Sequence, residues 1–320
     1  MESLFPSARG RRGFRRAFRR SLAGPRVALL VPILALIVVA GAGCGKRKEA
    51  PPPPAPAAQT LATPDGVTIA YDVRGQGRPV LVFIHGWCCN RSYWKNQVDV
   101  FAKDHEVVTL DLPGHGASGA NRSTWSIAGL GADVQTVVEK LDLSDVVLVG
   151  HSLGGPIALE AAHLLPGRVV AVIAIDTLQD VDFIYPKESV EAMVNRFDTD
   201  FTGTMAMAVR AMFPDLTDPA LVEWVISTSD ATNHAAATAI MRSYEDFDLK
   251  AALSGAGVPV RCLNVEPTDL NGIRTAVEKN RKYADFDAVE LKNVGHYPML
   301  ERPAEFNAKL QEVLAALPRK

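Results

Sequence analysis

The chain has 320 residues, 48% of them hydrophobic and 22% charged, with 24 Gly, 21 Pro and 4 Cys; this excludes a disordered polymer, a collagen-like repeat and a disulfide-stapled mini-domain. The formal net charge of −2 is unevenly spread: residues 1–49 hold eleven Lys/Arg against two acidic side chains, which leaves the remainder at −11. An acidic body argues against nucleic acid as partner, because phosphate recognition needs clustered Lys/Arg on the folded domain.

In chain order, residues 1–44 read as an export signal. An Arg-rich stretch (Arg9 to Arg26) precedes the uncharged apolar run Val27–Gly43, and positive charge stays on the cytoplasmic side of a membrane. The run ends in Ala40-Gly41-Ala42-Gly43-Cys44, which resembles the cleavage and lipidation box of bacterial lipoproteins and makes Cys44 the expected lipidation site. An uncleaved anchor helix is the other reading, although the run is short of the ~20 residues that a span needs and contains Pro32. Both place the body outside the cytoplasm, tethered to a membrane of a bacterial cell envelope through the N-terminus. Residues 45–60, with Pro51 to Pro54 and Pro56, form an extended Pro-rich tether.

From Leu61 onward short β-branched runs alternate with amphipathic stretches, the pattern of an α/β sheet with crossover helices. Strands are expected at Val67–Val73, Pro79–Ile84, Glu106–Leu110, Asp145–Val149, Val169–Ile175, Val258–Val265 and Ala288–Leu291. Helices are expected at Tyr93–Asp104, Ile127–Leu141, Leu153–Leu165, Gly272–Tyr283 and Pro303–Leu317. The rhythm stops between about Val181 and Leu253, a Met- and Phe-rich helical insertion.

The sharpest signal is Val146-Val147-Leu148-Val149-Gly150-His151-Ser152-Leu153-Gly154-Gly155, a buried strand turning directly into a helix at Ser152. Such a turn strains the serine backbone and needs small residues two before and two after; Gly150 and Gly154 supply them. Together with Phe83-Ile84-His85-Gly86-Trp87 and Asp111-Leu112-Pro113-Gly114-His115-Gly116-Ala117-Ser118, this segment resembles the α/β-hydrolase superfamily from about Leu61 to Pro318. The resemblance implies a mostly parallel central sheet flanked by helices, with a helical cap over about 181–253 of a domain spanning 61–320. It also implies an oxyanion hole made by the backbone N–H groups of Trp87 and Leu153.

A serine hydroxyl needs an imidazole to take its proton. Of seven histidines, His296 follows the last strand and precedes the last helix, where this superfamily places its base. His85, His105, His115, His151, His163 and His234 sit elsewhere in the pattern. The carboxylate that fixes the imidazole has three candidates: Asp269, just after the strand ending at Val265, where the resemblance implies the acid and where the order Ser, Asp, His is kept; Asp176, at the end of the preceding strand; and Glu266. Cys88, Cys89 and Cys262 read as buried small hydrophobes, and no spacing suggests a metal or cofactor.

The catalytic set expected from sequence is therefore Ser152, Asp269 and His296, acting on a small-molecule ester-like substrate. Trp87, Met205, Met207, Met212 and Phe213 are expected to line its binding site, since unbranched thioethers adapt to variable apolar groups. A serine in the elbow argues against the epoxide hydrolases and dehalogenases of the superfamily, which use Asp there. Lactonase, peptidase and acyltransferase chemistry remain open, as does a tethered ligand-binding or sensor protein with little turnover.

Overall fold

The computed structural model describes residues 59–184, 186–215, 217–266 and 274–318. Cys44, the apolar run before it and most of the Pro-rich tether therefore lie outside the described residues. Among those described, no helix is long and apolar enough to cross a membrane.

The strands are β1 (Gln59–Ala62), β2 (Thr68–Arg74), β3 (Val80–Ile84), β4 (Val107–Leu110), β5 (Val146–His151), β6 (Val169–Ile175), β7 (Val260–Glu266) and β8 (Phe286–Lys292). The helices are α1 (Val98–Phe101), α2 (Ile127–Lys140), α3 (Gly154–Leu164), α4 (Lys187–Thr199), α5 (Phe201–Ala211), α6 (Pro219–Asp230), α7 (His234–Ser243), α8 (Leu249–Gly255), α9 (Val277–Asn280), α10 (Pro298–Glu301) and α11 (Pro303–Ala316). All eight strands join one sheet in the order β1-β2-β4-β3-β5-β6-β7-β8. β1 and β2 are antiparallel to their neighbours, and β3 to β8 are parallel. This is the α/β class expected from the alternating pattern.

β3 and β5 are apolar at nearly every position because both faces of the sheet are covered. Val80, Val82, Ile84, Val146 and Leu148 point into the core under α2, α3 and α8. Leu81, Phe83, Val147 and Val149 point the other way, into a second core with Trp94, Phe101 and α11 residues Phe306 and Leu310. Each such side chain removed from water contributes about 1.5–3 kcal/mol, and α2 is further fixed by Ser126, whose Oγ accepts the Gly129 N–H at 2.9 Å.

The topology also fixes where a site must lie. The chain leaves β3 toward β4 on one side and leaves β5 toward β6 on the other, and these two adjacent strands form the switch point at which an open parallel sheet leaves a crevice beyond its carboxyl ends. Trp87 follows β3 and Ser152 follows β5, so both stand at that crevice.

Three local departures from the sequence pattern have tertiary causes. The stretch expected as one helix over Tyr93–Asp104 is split into a 3-10 turn, Arg91–Trp94, and the short α1. Gln97, between them, is fully buried and its Nε2 donates to Met299 O (3.1 Å) and Asn307 Oδ1 (2.9 Å). The insertion after β6 contributes α4 to α7, but its expected final residues belong to α8, whose Ala252 and Leu253 pack in the core beside α3. Last, β1 is a mostly exposed edge strand with no apolar signal.

Candidate active site

Ser152 sits between β5 and α3 with φ 52°, in the left-handed region that non-glycine residues rarely occupy. The crowding that makes the neighbouring glycines obligatory is explicit: a Cβ on Gly150 would lie 2.1 Å from Gly154 O, and one on Gly86 would lie 3.0 Å from the Ser152 Cβ. The Ser152 N–H donates to Ile175 O at 2.9 Å, tying the turn to the end of β6.

The next residue along β6 is Asp176, buried and itself at φ 47°. Its Oδ2 accepts the His296 Nδ1 proton at 2.6 Å, while Oδ1 accepts from the Val265 N–H and the Gln179 side-chain amide, both at 3.2 Å. Among the described residues the imidazole's carboxylate partner is thus Asp176, the second of the candidates read from the sequence. Asp269 lies outside the described residues, and Glu266 pairs with Lys292 at 3.1 Å instead. A polar residue terminating the apolar run Val169–Ile175 was the available signal for Asp176.

His296 is held from several sides. Its N–H donates to Met212 O (3.0 Å) and its carbonyl accepts from His151 Nε2 (2.8 Å). The amides on either side, Gly295 and Tyr297, both donate to the Glu301 carboxylate, at 2.9 and 3.1 Å. Burial pushes the Glu301 carboxyl up from its ordinary value despite these two donors. His151 belongs to the elbow, so its bond to His296 O joins the His296 loop directly to the residue before Ser152, with the two rings 4.8 Å apart.

The remaining histidines have other partners. His85 donates through Nδ1 to Gly86 O (2.8 Å) and accepts the Leu112 N–H at Nε2 (2.9 Å), which defines a neutral imidazole. His115 donates to Pro113 O. Burial drives the pKa values of His85 and His151 well below the ordinary value and that of His115 down to about 4. His105, His163 and His234 each bond a backbone carbonyl, of Pro79, Gly255 and Asp230 respectively.

Trp87 turns its side chain into the insertion, where Nε1 donates to Ala237 O at 2.9 Å and the ring meets Phe197 and Phe201 at 4.9 and 6.3 Å. Met205 is buried in the same apolar cluster. Met212 and Phe213 rest on the His296 loop instead: the Tyr297 hydroxyl donates to Met212 Sδ at 3.2 Å, and Phe213 stacks on the Tyr297 ring at 5.1 Å. Met207 is 65% exposed, so it does not join the others as expected; it occupies the outer face of α5. A cleft of about 260 Å³ opens between Phe197, Asp198, Phe201, His234, Ala235 and Thr238, and its Phe197 and Phe201 walls are those that pack on Trp87. Cys88, Cys89 and Cys262 are free and buried. Among the described residues no group of three His, Cys, Asp or Glu side chains is arranged to hold a metal.

A mostly parallel α/β sheet bearing a strained serine at a strand-to-helix elbow, whose neighbouring His151 is hydrogen-bonded to the residue of a carboxylate-bound imidazole, defines a class of enzymes. Residues 81–309 match the Alpha/beta hydrolase family, and the chain belongs to it. It is similar to the AB hydrolase superfamily protein YisY of Bacillus subtilis, 24% identical over 266 residues that span 79% of this chain and 97% of that one. Several other curated relatives match over only about a third of their own length. Among solved structures it is similar to Est816, described as an N-acyl homoserine lactone degrading enzyme, with 26% identity, a TM-score of 0.68, and coverage of 79% of this chain and 99% of that one. The esterase EaEST from Exiguobacterium antarcticum shares the fold at 20% identity with a TM-score of 0.73, covering 81% and 100%.

Proposed function

We propose that this alpha/beta hydrolase cleaves carboxylic esters through an acyl-enzyme on Ser152, with His296 as base and Asp176 as the orienting acid. The observation that carries the reading is the Asp176–His296 hydrogen bond at 2.6 Å, joined through His151 to the elbow. With the proton held on Nδ1, Nε2 is the basic nitrogen, available to take the Ser152 hydroxyl proton as Oγ attacks the acyl carbonyl. The tetrahedral intermediate puts negative charge on the former carbonyl oxygen, and in this reading the Trp87 and Leu153 N–H groups receive it; losing one such donor costs about 3 kcal/mol. His296 then returns the proton to the departing alcohol, and water repeats the sequence to release the acid. The Trp87–Met205 cluster and the Met212–Phe213 pair offer apolar surface for the acyl or alcohol group.

Lactone opening uses the same steps with the leaving alcohol still attached to the acyl group, and the likeness to Est816 at 26% identity favours it as the second reading. The test is labelling by a fluorophosphonate probe followed by a panel of p-nitrophenyl esters and acyl lactones. Labelling lost in Ser152→Ala, with turnover of either substrate set, supports the proposal; no labelling and no turnover on both sets would instead favour a binding or sensor role. We also propose that residues 1–44 export the protein and that Cys44 is lipidated. Cys44→Ser should then leave an unprocessed precursor in the cell envelope fraction.

A further inference from the structure

The turn that carries Asp176 is backbone-strained twice. Asp176 has φ 47° and Leu178, two residues on, has φ 57°. Aspartate tolerates the left-handed region better than most residues, but leucine does not. The conformation must be imposed from outside the turn. Asp176 contributes to it through Oδ1, which accepts from Gln179 Nε2, but this side-chain bond pairs no backbone group of Leu178 or of the residues beyond.

On the β7 side the Asp176 N–H donates to Leu263 O (2.9 Å) and the Thr177 N–H to Asn264 Oδ1 (3.1 Å); from Leu178 onward the grip comes from α9. Asn280 is fully buried, and its side-chain amide meets the turn at three points: Nδ2 donates to Leu178 O (2.8 Å) and Gln179 O (3.2 Å), and Oδ1 accepts the Val181 N–H (3.1 Å). Two carbonyls facing one end of the amide and one N–H facing the other leave a single orientation for the group. The same helix turn adds the Ala276 N–H to Gln179 O (2.7 Å) and Lys279 Nζ to Asp180 Oδ2 (2.5 Å), and Tyr283 follows with its hydroxyl on Asp182 Oδ1 (2.7 Å). Asn280 has no other side-chain partner among the described residues and stands remote in sequence from everything it holds.

We propose that Asn280 is a positioning residue of the hydrolase: it fixes the strained turn 176–181 so that the Asp176 carboxylate meets His296 Nδ1. This rests on the reading of Asp176 as the orienting acid. Asparagine is required by chemistry and not by size. Aspartate is isosteric, but its ionised carboxylate would set an oxygen against the Leu178 and Gln179 carbonyls; its protonated form would recover one donor and one acceptor.

The test measures kcat and KM on a p-nitrophenyl ester for wild type, Asn280→Ala, Asn280→Asp and Val134→Ala. Val134 is a buried α2 position outside the site, so its variant reports destabilisation alone. Asn280→Ala should lower kcat about 10- to 100-fold with KM within about twofold, the scale of a misplaced catalytic group. The far-downfield proton resonance of the carboxylate-bound imidazole should broaden or disappear. The ratio of Asn280→Asp to wild-type kcat should rise as pH falls, as the introduced carboxyl gains its proton, while the Val134→Ala ratio stays flat. The inference is overturned if both Asn280 variants keep kcat within twofold of wild type, or if the Asn280→Asp ratio is as flat with pH as that of Val134→Ala. A wild-type protein that turns over no ester, or an Asp176→Asn variant with full activity, would sink the underlying reading instead.

Discussion

Replacing Asp176 by asparagine asks which carboxylate orients His296, and the structure sets the size of the answer. Three donors converge on this carboxylate: His296 Nδ1–H on one oxygen, Val265 N–H and Gln179 Nε2 on the other. An asparagine carbonyl can accept at one position only. If it keeps the Val265 and Gln179 bonds, its NH2 group faces Nδ1 and forces the imidazole proton onto Nε2, the nitrogen needed as base. If it flips, the NH2 group opposes two donors, leaving buried N–H groups unpaired at about 1–3 kcal/mol. The first arrangement is the cheaper, so Asp176→Asn should fold nearly as well as wild type and lose about 10³- to 10⁴-fold in kcat by holding the wrong tautomer. At 1.36 kcal/mol per decade that is about 4–5.5 kcal/mol of barrier. The assay is p-nitrophenyl butyrate hydrolysis, with denaturant midpoints to separate folding from chemistry. Asp269→Asn run alongside should stay within a fewfold of wild type; a large loss there with near-normal Asp176→Asn would refute the assignment.

Three further outcomes are expected. The buried neutral imidazoles of His85, His115 and His151 have depressed pKa values, so below about pH 6.5 the unfolded chain binds protons that the native state refuses; stability should fall between pH 7 and pH 5, by about 2 kcal/mol for His115 with its pKa down at about 4 and further for His85 and His151, partly offset by the raised Glu301 carboxyl. Urea midpoints that do not move over this range would contradict the burial argument. Glu301→Ala, which removes the acceptor of both amides flanking His296, should cost at least tenfold in kcat, and Glu301→Gln, with one acceptor oxygen left, should cost less; equal effects in steady-state kinetics would show that the two N–H bonds do not position the base. Met207→Ala should change neither ester chain-length preference nor stability by more than about 0.5 kcal/mol, whereas Met205→Trp should shift the preferred acyl length or lower stability; sensitivity at Met207 instead would reverse the assignment of the α5 faces.

What the sequence disclosed and what it withheld follow from the range of the forces involved. The elbow at Ser152 was legible because Gly150 and Gly154 answer a crowding that is local in the chain. His296 was legible because its place between β8 and α10 is a matter of element order. The carboxylate was harder: Asp176 and Asp269 each follow a strand of the parallel pattern and each fall between Ser152 and His296, so chain order does not tell which strand end faces the imidazole. Asn280, Gln179 and Glu301 carried no pattern, since their roles exist only once distant segments meet. The split of the expected 93–104 helix has the same origin, in a Gln97 side chain drawn inward by Met299 and Asn307. Counting methionines in the insertion located an apolar layer but not which side of α5 each one occupies, and Met207 shows the difference.

The bond from His296 N–H to Met212 O has a bearing on how such proteins diversify. Inserted helical layers are attractive units for recombination, since exchanging one promises a new specificity on an old engine. Here Met212 and Phe213, just past the end of α5, supply part of the engine's mounting: they carry a backbone acceptor for the His296 loop, a sulfur for the Tyr297 hydroxyl and an aromatic face for its ring. A chimera that imports a foreign segment across residues 209–214 would receive a new pocket and a displaced imidazole together. Crossovers that keep this stretch native, and exchange only the helices on either side of it, leave selectivity free to vary while the base keeps its mounting.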